Sequence, residues 1–196
     1  MKILPNGAWD NPTSEGHLFD EGLAKAILEF CDQQGITRLV DMGCGDGSYV
    51  NFINENNLFG IVAIGVDGNP HTQELAHTNH PFNFCYVADL SKPLAFEWPP
   101  LDLILCLEVG EHIPAEFESV FLDNVTKFAK TWIIMSWATE GQGGDGHVNC
   151  RSTAAVIADM VGRGWYVYPE GTQDLRQRAG LPWFRSNIHL YYKGIP

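Results

Sequence analysis

The chain is short of positive charge. Twelve Lys and Arg stand against 24 Asp and Glu in 196 residues, a formal net charge of −12. A field of that sign repels phosphate backbones, so nucleic acid is not an expected partner. No apolar run approaches the roughly 18 to 20 residues that span a bilayer. The start, Met1-Lys2-Ile3-Leu4-Pro5-Asn6, is too short and polar for a secretory leader. The five cysteines, Cys31, Cys44, Cys85, Cys106 and Cys150, form no C-x-x-C pair. They read as small core residues of a reducing compartment, so a cytoplasmic protein with no membrane contact is expected. Low-complexity tracts are absent. So is the G-x-G-x-x-G spacing of a dinucleotide fingerprint, which argues against a nicotinamide dehydrogenase.

What is present suits one globular unit. Hydrophobic residues make up 45% and charged residues 18%, and the length allows one α/β domain over 1–196 with a full core. Residues 1–17 hold Pro5, Gly7, Pro12 and Gly16 with no regular period, and read as an irregular arm. A helix is expected from Phe19, capped by Asp20 and stopped by Gly35. Strands are expected at Ile61 to Val66, Phe82 to Val87, Leu101 to Leu107, Trp132 to Met135, Trp165 to Tyr168 and Ile188 to Tyr192. Helical periods lie between most of them, and the last strand is reached through a loop with Pro182, Trp183 and Phe184. This alternation predicts a doubly wound, mostly parallel sheet with helices on both faces and a C-terminal antiparallel hairpin.

The chain is organised around Leu39-Val40-Asp41-Met42-Gly43-Cys44-Gly45-Asp46-Gly47-Ser48, a buried strand that ends in a glycine turn and passes into a helix. Glycine at 43, 45 and 47 permits positive φ and lets a ligand approach the main chain. Asp41 and Asp46 would repel a pyrophosphate but suit an ammonium or sulfonium centre. Three further strand ends carry Gly65-Val66-Asp67-Gly68, Val87-Ala88-Asp89-Leu90 and Leu107-Glu108-Val109-Gly110-Glu111-His112.

With D-x-G-x-G-x-G followed by these three motifs in order, roughly residues 36 to 137 resemble the class I S-adenosylmethionine-dependent methyltransferases. The resemblance implies a seven-stranded Rossmann-like sheet and S-adenosylmethionine as donor, leaving S-adenosylhomocysteine as product. It implies a cofactor site of Asp41, Gly43, Cys44, Gly45, Asp46, Asp67, Gly68, Asp89, Leu90 and Leu107, with Asp67 facing the ribose diol and Asp89 the adenine amino group. It also implies that the arm can fold over the cofactor.

Groups that could act on an acceptor follow the fourth and fifth strands of this motif series. His147, His112 and Glu111 are the candidate bases and orienting groups. His147 lies just beyond Thr139 to Gly146, a loop with four glycines in eight residues. Asn149, Arg151, His17 and Trp137 are the candidate acceptor contacts. The acceptor is expected to be a small molecule, methylated at oxygen; oligomeric state is not readable. Glu108-x-x-Glu111-His112 with His147 also resembles the divalent-metal pattern of small-RNA 3′-end 2′-O-methyltransferases and of some quinone O-methyltransferases. E-x-x-E-H also stands in methyltransferases without metal, and the acidic balance disfavours RNA, so no metal is assigned. The remaining alternative is an inactive S-adenosylmethionine-binding module.

Overall fold

The structure is a computed structural model, and it describes residues 2–57, 60–79 and 84–194. In chain order the elements are β1 (Lys2–Ile3), β2 (Trp9–Asp10), α1 (Glu21–Gln34), β3 (Arg38–Met42), α2 (Ser48–Asn56), β4 (Val62–Asp67), α3 (Thr72–Asn79), β5 (Cys85–Val87), β6 (Leu101–Cys106), a 3-10 turn Ala115–Phe117, α4 (Glu118–Phe128), β7 (Ala129–Met135), α5 (Thr153–Gly162), β8 (Trp165–Val167), α6 (Pro169–Arg178), α7 (Phe184–Asn187) and β9 (His189–Lys193). Seven strands form one sheet in the order β5-β4-β3-β6-β7-β9-β8. The first five are parallel, and β9 runs antiparallel to both β7 and β8.

Side chains of a strand alternate between faces, and β3 shows how the core divides. Leu39 joins the layer built with Leu23 and Ile27 of α1, Val50 of α2 and Leu175 of α6. Val40 and Met42 join the opposite layer with Phe121 and Val125 of α4 and Met160 of α5. The sheet is therefore covered on both sides, as a parallel sheet requires. Strand order reverses between β3 and β6, and in such sheets ligands bind outside the strand C-termini at that point.

The caps expected for α1 are present: the Asp20 carboxylate accepts from Leu23 N–H at 3.0 Å, and Gly35 closes the helix at φ 62°. The strand expected over Phe82 to Val87 is a ladder of Cys85–Val87, and Phe82 lies outside the described residues. Two features differ from the sequence reading. The arm is not wholly irregular, because β1 and β2 pair antiparallel. The C-terminal antiparallel strands are as expected, but the segment between them, read as a loop, carries α6 and α7; of α6 only Thr172 and Leu175 are buried, too few to give an apolar period. No disulfide links the described cysteines, and all but the half-buried Cys150 are buried. Among the described residues no helix is long and apolar enough to cross a membrane.

Candidate active site

The turn after β3 takes its shape from glycine. Gly43, Gly45 and Gly47 have φ of 89°, 55° and 81°, a region that disfavours any Cβ. A Cβ at Gly43 would also strike Val109, and one at Gly45 the His17 ring, so the glycines admit protein neighbours as closely as they would a ligand. Gly45 N–H donates to the Asp67 carboxylate at 2.8 Å, and Asn69 N–H donates to its other oxygen at 2.7 Å. Asp67 is thus locked at the end of β4 with lone pairs to spare. Asp46 accepts from Ser48 N–H and Oγ, and Asp89 accepts from Ser91 while pairing with Lys92 at 2.9 Å.

These strand ends surround a cavity of about 370 Å³ lined by Asp41, Gly43, Cys44, Gly45, Asp46, Asp67, Gly68, Asp89, Leu90 and Leu107. All ten residues of the expected cofactor site therefore line one cavity. The arm closes it from above. Ala8, Trp9 and His17 line the cavity, and Trp9 packs on His17 with centroids 5.3 Å apart and edge-on to His112 at 5.4 Å. Asn69 Nδ2 donates to Asn11 carbonyl oxygen at 2.9 Å, tying the arm to the loop after β4. Trp9 was not among the residues singled out by sequence; a two-residue ladder has no period to find.

The cavity is strongly acidic. Burial, then the Asp67 and Asp46 charges, push the Asp41 carboxyl up to about 8. Burial raises Asp67 as well, although the Asn69 and Gly45 amides pull the other way. Asp89 runs opposite: against the cost of burial, hydrogen bonds from Ser91, Lys92 and Asn6 hold it at about 2. A site that leaves Asp41 short of cationic partners is matched by a ligand carrying a sulfonium and an ammonium. S-adenosylmethionine, which supplies an electrophilic methyl group when bound, fits this donor set.

The other end of the cavity holds the candidate acceptor groups. His112 and His147 line it, with ring centroids 4.9 Å apart. Burial, then His147, press His112 down to about 4, so it is neutral near pH 7. Glu111 lies directly behind them, fully enclosed, and neither carboxylate oxygen makes a hydrogen bond. Burial and then the neighbouring Glu108 raise its pKa well above the carboxylate range, only partly offset by the facing amides of Glu111 and Ala138. His147 Nε2 stands 3.9 Å from Glu111 Oε1, while its Nδ1 faces the Gln142 carbonyl at 3.2 Å. The tautomer that carries its proton on Nδ1 donates to that carbonyl and leaves Nε2 as the acceptor. One atom each from Glu111, His112 and His147 lies within 4.8 Å of the others. A proton or a cation has to sit among these acceptors.

Glu108 borders that cluster, and its side chain reaches Glu111 as well as two amides distant in sequence. It has φ 52°, the one positive value at a non-glycine among the described residues, a conformation costing about 1 to 3 kcal/mol. Its carboxylate accepts from Gln142 Nε2 at 2.6 Å and Asn187 Nδ2 at 2.8 Å.

Three expected acceptor contacts are not at the cavity. Trp137 is buried, its Nε1 donating to Asn149 carbonyl oxygen at 2.7 Å. Asn149 Nδ2 donates to Glu118, and Arg151 pairs with Glu118 and Asp159. The chain after His147 turns back into the body through Arg151 N–H and the Ala138 carbonyl at 3.1 Å, so nearness in sequence carried these residues away from the opening. Of the four expected acceptor contacts only His17 lines the cavity. Gln142, which the sequence did not single out, does so as well.

Residues 40–130 match a family model described as a methyltransferase domain. No curated protein sequence matches the chain. Solved structures do. Magnesium protoporphyrin IX methyltransferase from Synechocystis PCC 6803, solved with S-adenosylmethionine and again with S-adenosylhomocysteine, superposes with a TM-score of 0.61 at 17% identity. The match covers 87% of this chain and 78% of that one in the S-adenosylmethionine complex. The sugar N-methyltransferase KedS8 from Streptoalloteichus sp ATCC 53650 gives 0.68 at 13% identity over 93% and 90%. CalS10, an amino pentose methyltransferase from Micromonospora echinaspora, gives 0.63 at 11% over 87% and 89%. At these identities the likeness is one of fold.

Proposed function

We propose that this chain, a class I S-adenosylmethionine-dependent methyltransferase by its domain match and fold, places the methyl group on an oxygen of a small-molecule acceptor. The observation that carries this reading is the order of groups along one cavity. Asp89 follows β5, Asp67 ends β4, Asp41 to Asp46 span the end of β3 and its turn, Leu107 to His112 follow β6 and His147 follows β7, which is also their order across this part of the sheet. Asp89 and Asp67 would hold the nucleoside, Asp41 would face the cationic part of the donor, and His112 and His147 stand where an acceptor would meet it. Transfer to a hydroxyl needs the oxygen held in line and its proton removed. His147 Nε2, the acceptor in the tautomer whose Nδ1 donates to the Gln142 carbonyl, is suited to that proton. The related folds named above that act on a porphyrin, a sugar and an amino pentose support a small-molecule acceptor. The test is S-adenosylhomocysteine formation on paired hydroxylated and aminated compounds. Turnover with the hydroxyl members is expected, and turnover confined to the amines would overturn the oxygen assignment.

A second reading, transfer assisted by a divalent cation, is favoured by the enclosed Glu111 carboxylate facing the His147 lone pair. Glu111, His112 and His147 would hold the ion, and its charge would compensate the buried carboxylate. About one divalent ion per chain, lost to a chelator together with turnover, is then expected. Chelator-indifferent turnover by protein free of metal would remove this reading.

A further inference from the structure

Glu108 is the one non-glycine with positive φ among the described residues, and its carboxylate oxygens are engaged by two amides distant in sequence. Gln142 belongs to the glycine-rich loop after β7, and Asn187 is buried at the end of α7. The same Gln142 presents its backbone carbonyl to His147 Nδ1 and its side-chain oxygen to Thr139 N–H and Asn187 Nδ2, both at 3.4 Å. Glu108 itself is anchored from below, where its N–H donates to Ser136 Oγ at 2.8 Å.

We propose that Glu108 is a positioning residue: a latch whose carboxylate clamps Gln142 and Asn187, and so ties the glycine-rich loop 139–147 to the body with His147 Nε2 turned toward Glu111. The proposal rests on the reading of His147 as the acceptor-side group. Inside the loop Gln142 N–H donates to the Thr139 carbonyl at 2.9 Å, and a Cβ at Gly144 or Gly146 would strike the His147 ring or Ile3, so the latch adds to a turn that is otherwise built of glycine. Glycine at 141, 143, 144 and 146 leaves its backbone weakly biased, and a Cβ at Gly141 or Gly143 would meet nothing within 4 Å. Both Glu108 oxygens act as acceptors toward the latch, so a glutamine there would set one amide against another. The strained backbone, by contrast, belongs to a residue held by its surroundings on three sides, which is the setting in which such a conformation persists.

The latch has a complementary exchange. In Glu108→Gln the new side-chain amide opposes the amide of Gln142, and in Gln142→Glu two carboxylates oppose each other. Combined, E108Q/Q142E restores a donor facing an acceptor and leaves oxygens for Asn187 and Thr139. Hydrogen exchange over 139–147, with S-adenosylhomocysteine present, reads the latch without any acceptor. Each single variant should speed exchange about tenfold, the scale of one hydrogen bond to a charged group, and the double variant should return to within about twofold of wild type. Gln142→Ala, on the half-exposed loop, gives the same reading should E108Q fail to fold. Unchanged exchange in the single variants, or a double variant as fast as the two combined, would overturn the proposal. So would loss of a bound divalent ion in E108Q and in the double variant with loop protection intact, because Glu108 would then be a ligand. Absence of methyl transfer to any hydroxyl would defeat the functional reading above while leaving this exchange result standing, so the two failures are distinguishable.

Discussion

The two ends of the cavity are built by different means. At the cofactor end the carboxylates sit at or beyond strand ends, and Asp46, Asp67 and Asp89 accept from nearby backbone amides, as Asp67 does from Gly45 and Asn69. At the acceptor end the groups are held by side chains from afar: Glu108 by Gln142 and Asn187, and His147 by a loop that Glu108 anchors. The first construction survives changes elsewhere in the molecule. The second depends on three separate segments agreeing, so the acceptor end is where this fold can change its substrate without losing its donor.

Turnover separates the two ends most strongly. His147→Ala should lower the rate by about 10² or more if Nε2 takes the acceptor proton. Wild-type turnover would remove it from the chemistry.

The ends also part company with pH. Asp41, raised to about 8 by burial and by Asp67 and Asp46, is mostly protonated at pH 7 in the empty site and must ionise to pair with a cationic donor. Affinity for S-adenosylmethionine should therefore rise about tenfold between pH 7 and 9 and level off above. The sign for folding is opposite. A carboxyl whose folded pKa is raised contributes stability that is full below its unfolded value of about 4 and is lost as pH climbs to about 8, so the ligand-free protein should melt progressively lower over that window. A flat affinity profile in calorimetry would show that Asp41 does not face the cation.

A residue that belongs to neither end gives the mildest change. Arg151→Ala removes partners of Glu118 and Asp159 and should cost about 1 kcal/mol of stability, a few degrees in Tm, with donor affinity and acceptor KM unchanged. A large rise in acceptor KM would return Arg151 to the site.

The same contrast governs what could be read from the sequence. A strand ending in Asp41-Met42-Gly43 or Val66-Asp67-Gly68 announces both its structure and its role within a few residues, because the backbone that makes the turn also places the carboxylate. Every cofactor residue expected on that basis lines the cavity. His112 and His147 were legible as residues past strand ends. Asn149 and Arg151 were placed by proximity in sequence, and the turn after His147 took them into the protein body; Trp137, read as a pocket-wall aromatic, is instead buried just after β7. By spacing Glu108 reads only as a candidate metal ligand; its bond to Gln142, a contact 34 residues away, is one that no local pattern encodes. α6 escaped notice because it buries only two residues.

The proposed function assigns donor and acceptor to separate parts of one cavity, and calorimetry of S-adenosylmethionine binding to Asp67→Ala and His147→Ala, beside wild type, tests that separation at its root. Loss of the charge-assisted bonds at Asp67, worth about 1.5 to 3 kcal/mol, should weaken binding at least tenfold in the first variant, and affinity should stay within about twofold in the second. Equal weakening in both, or full affinity in Asp67→Ala, would show that the two ends are not separate.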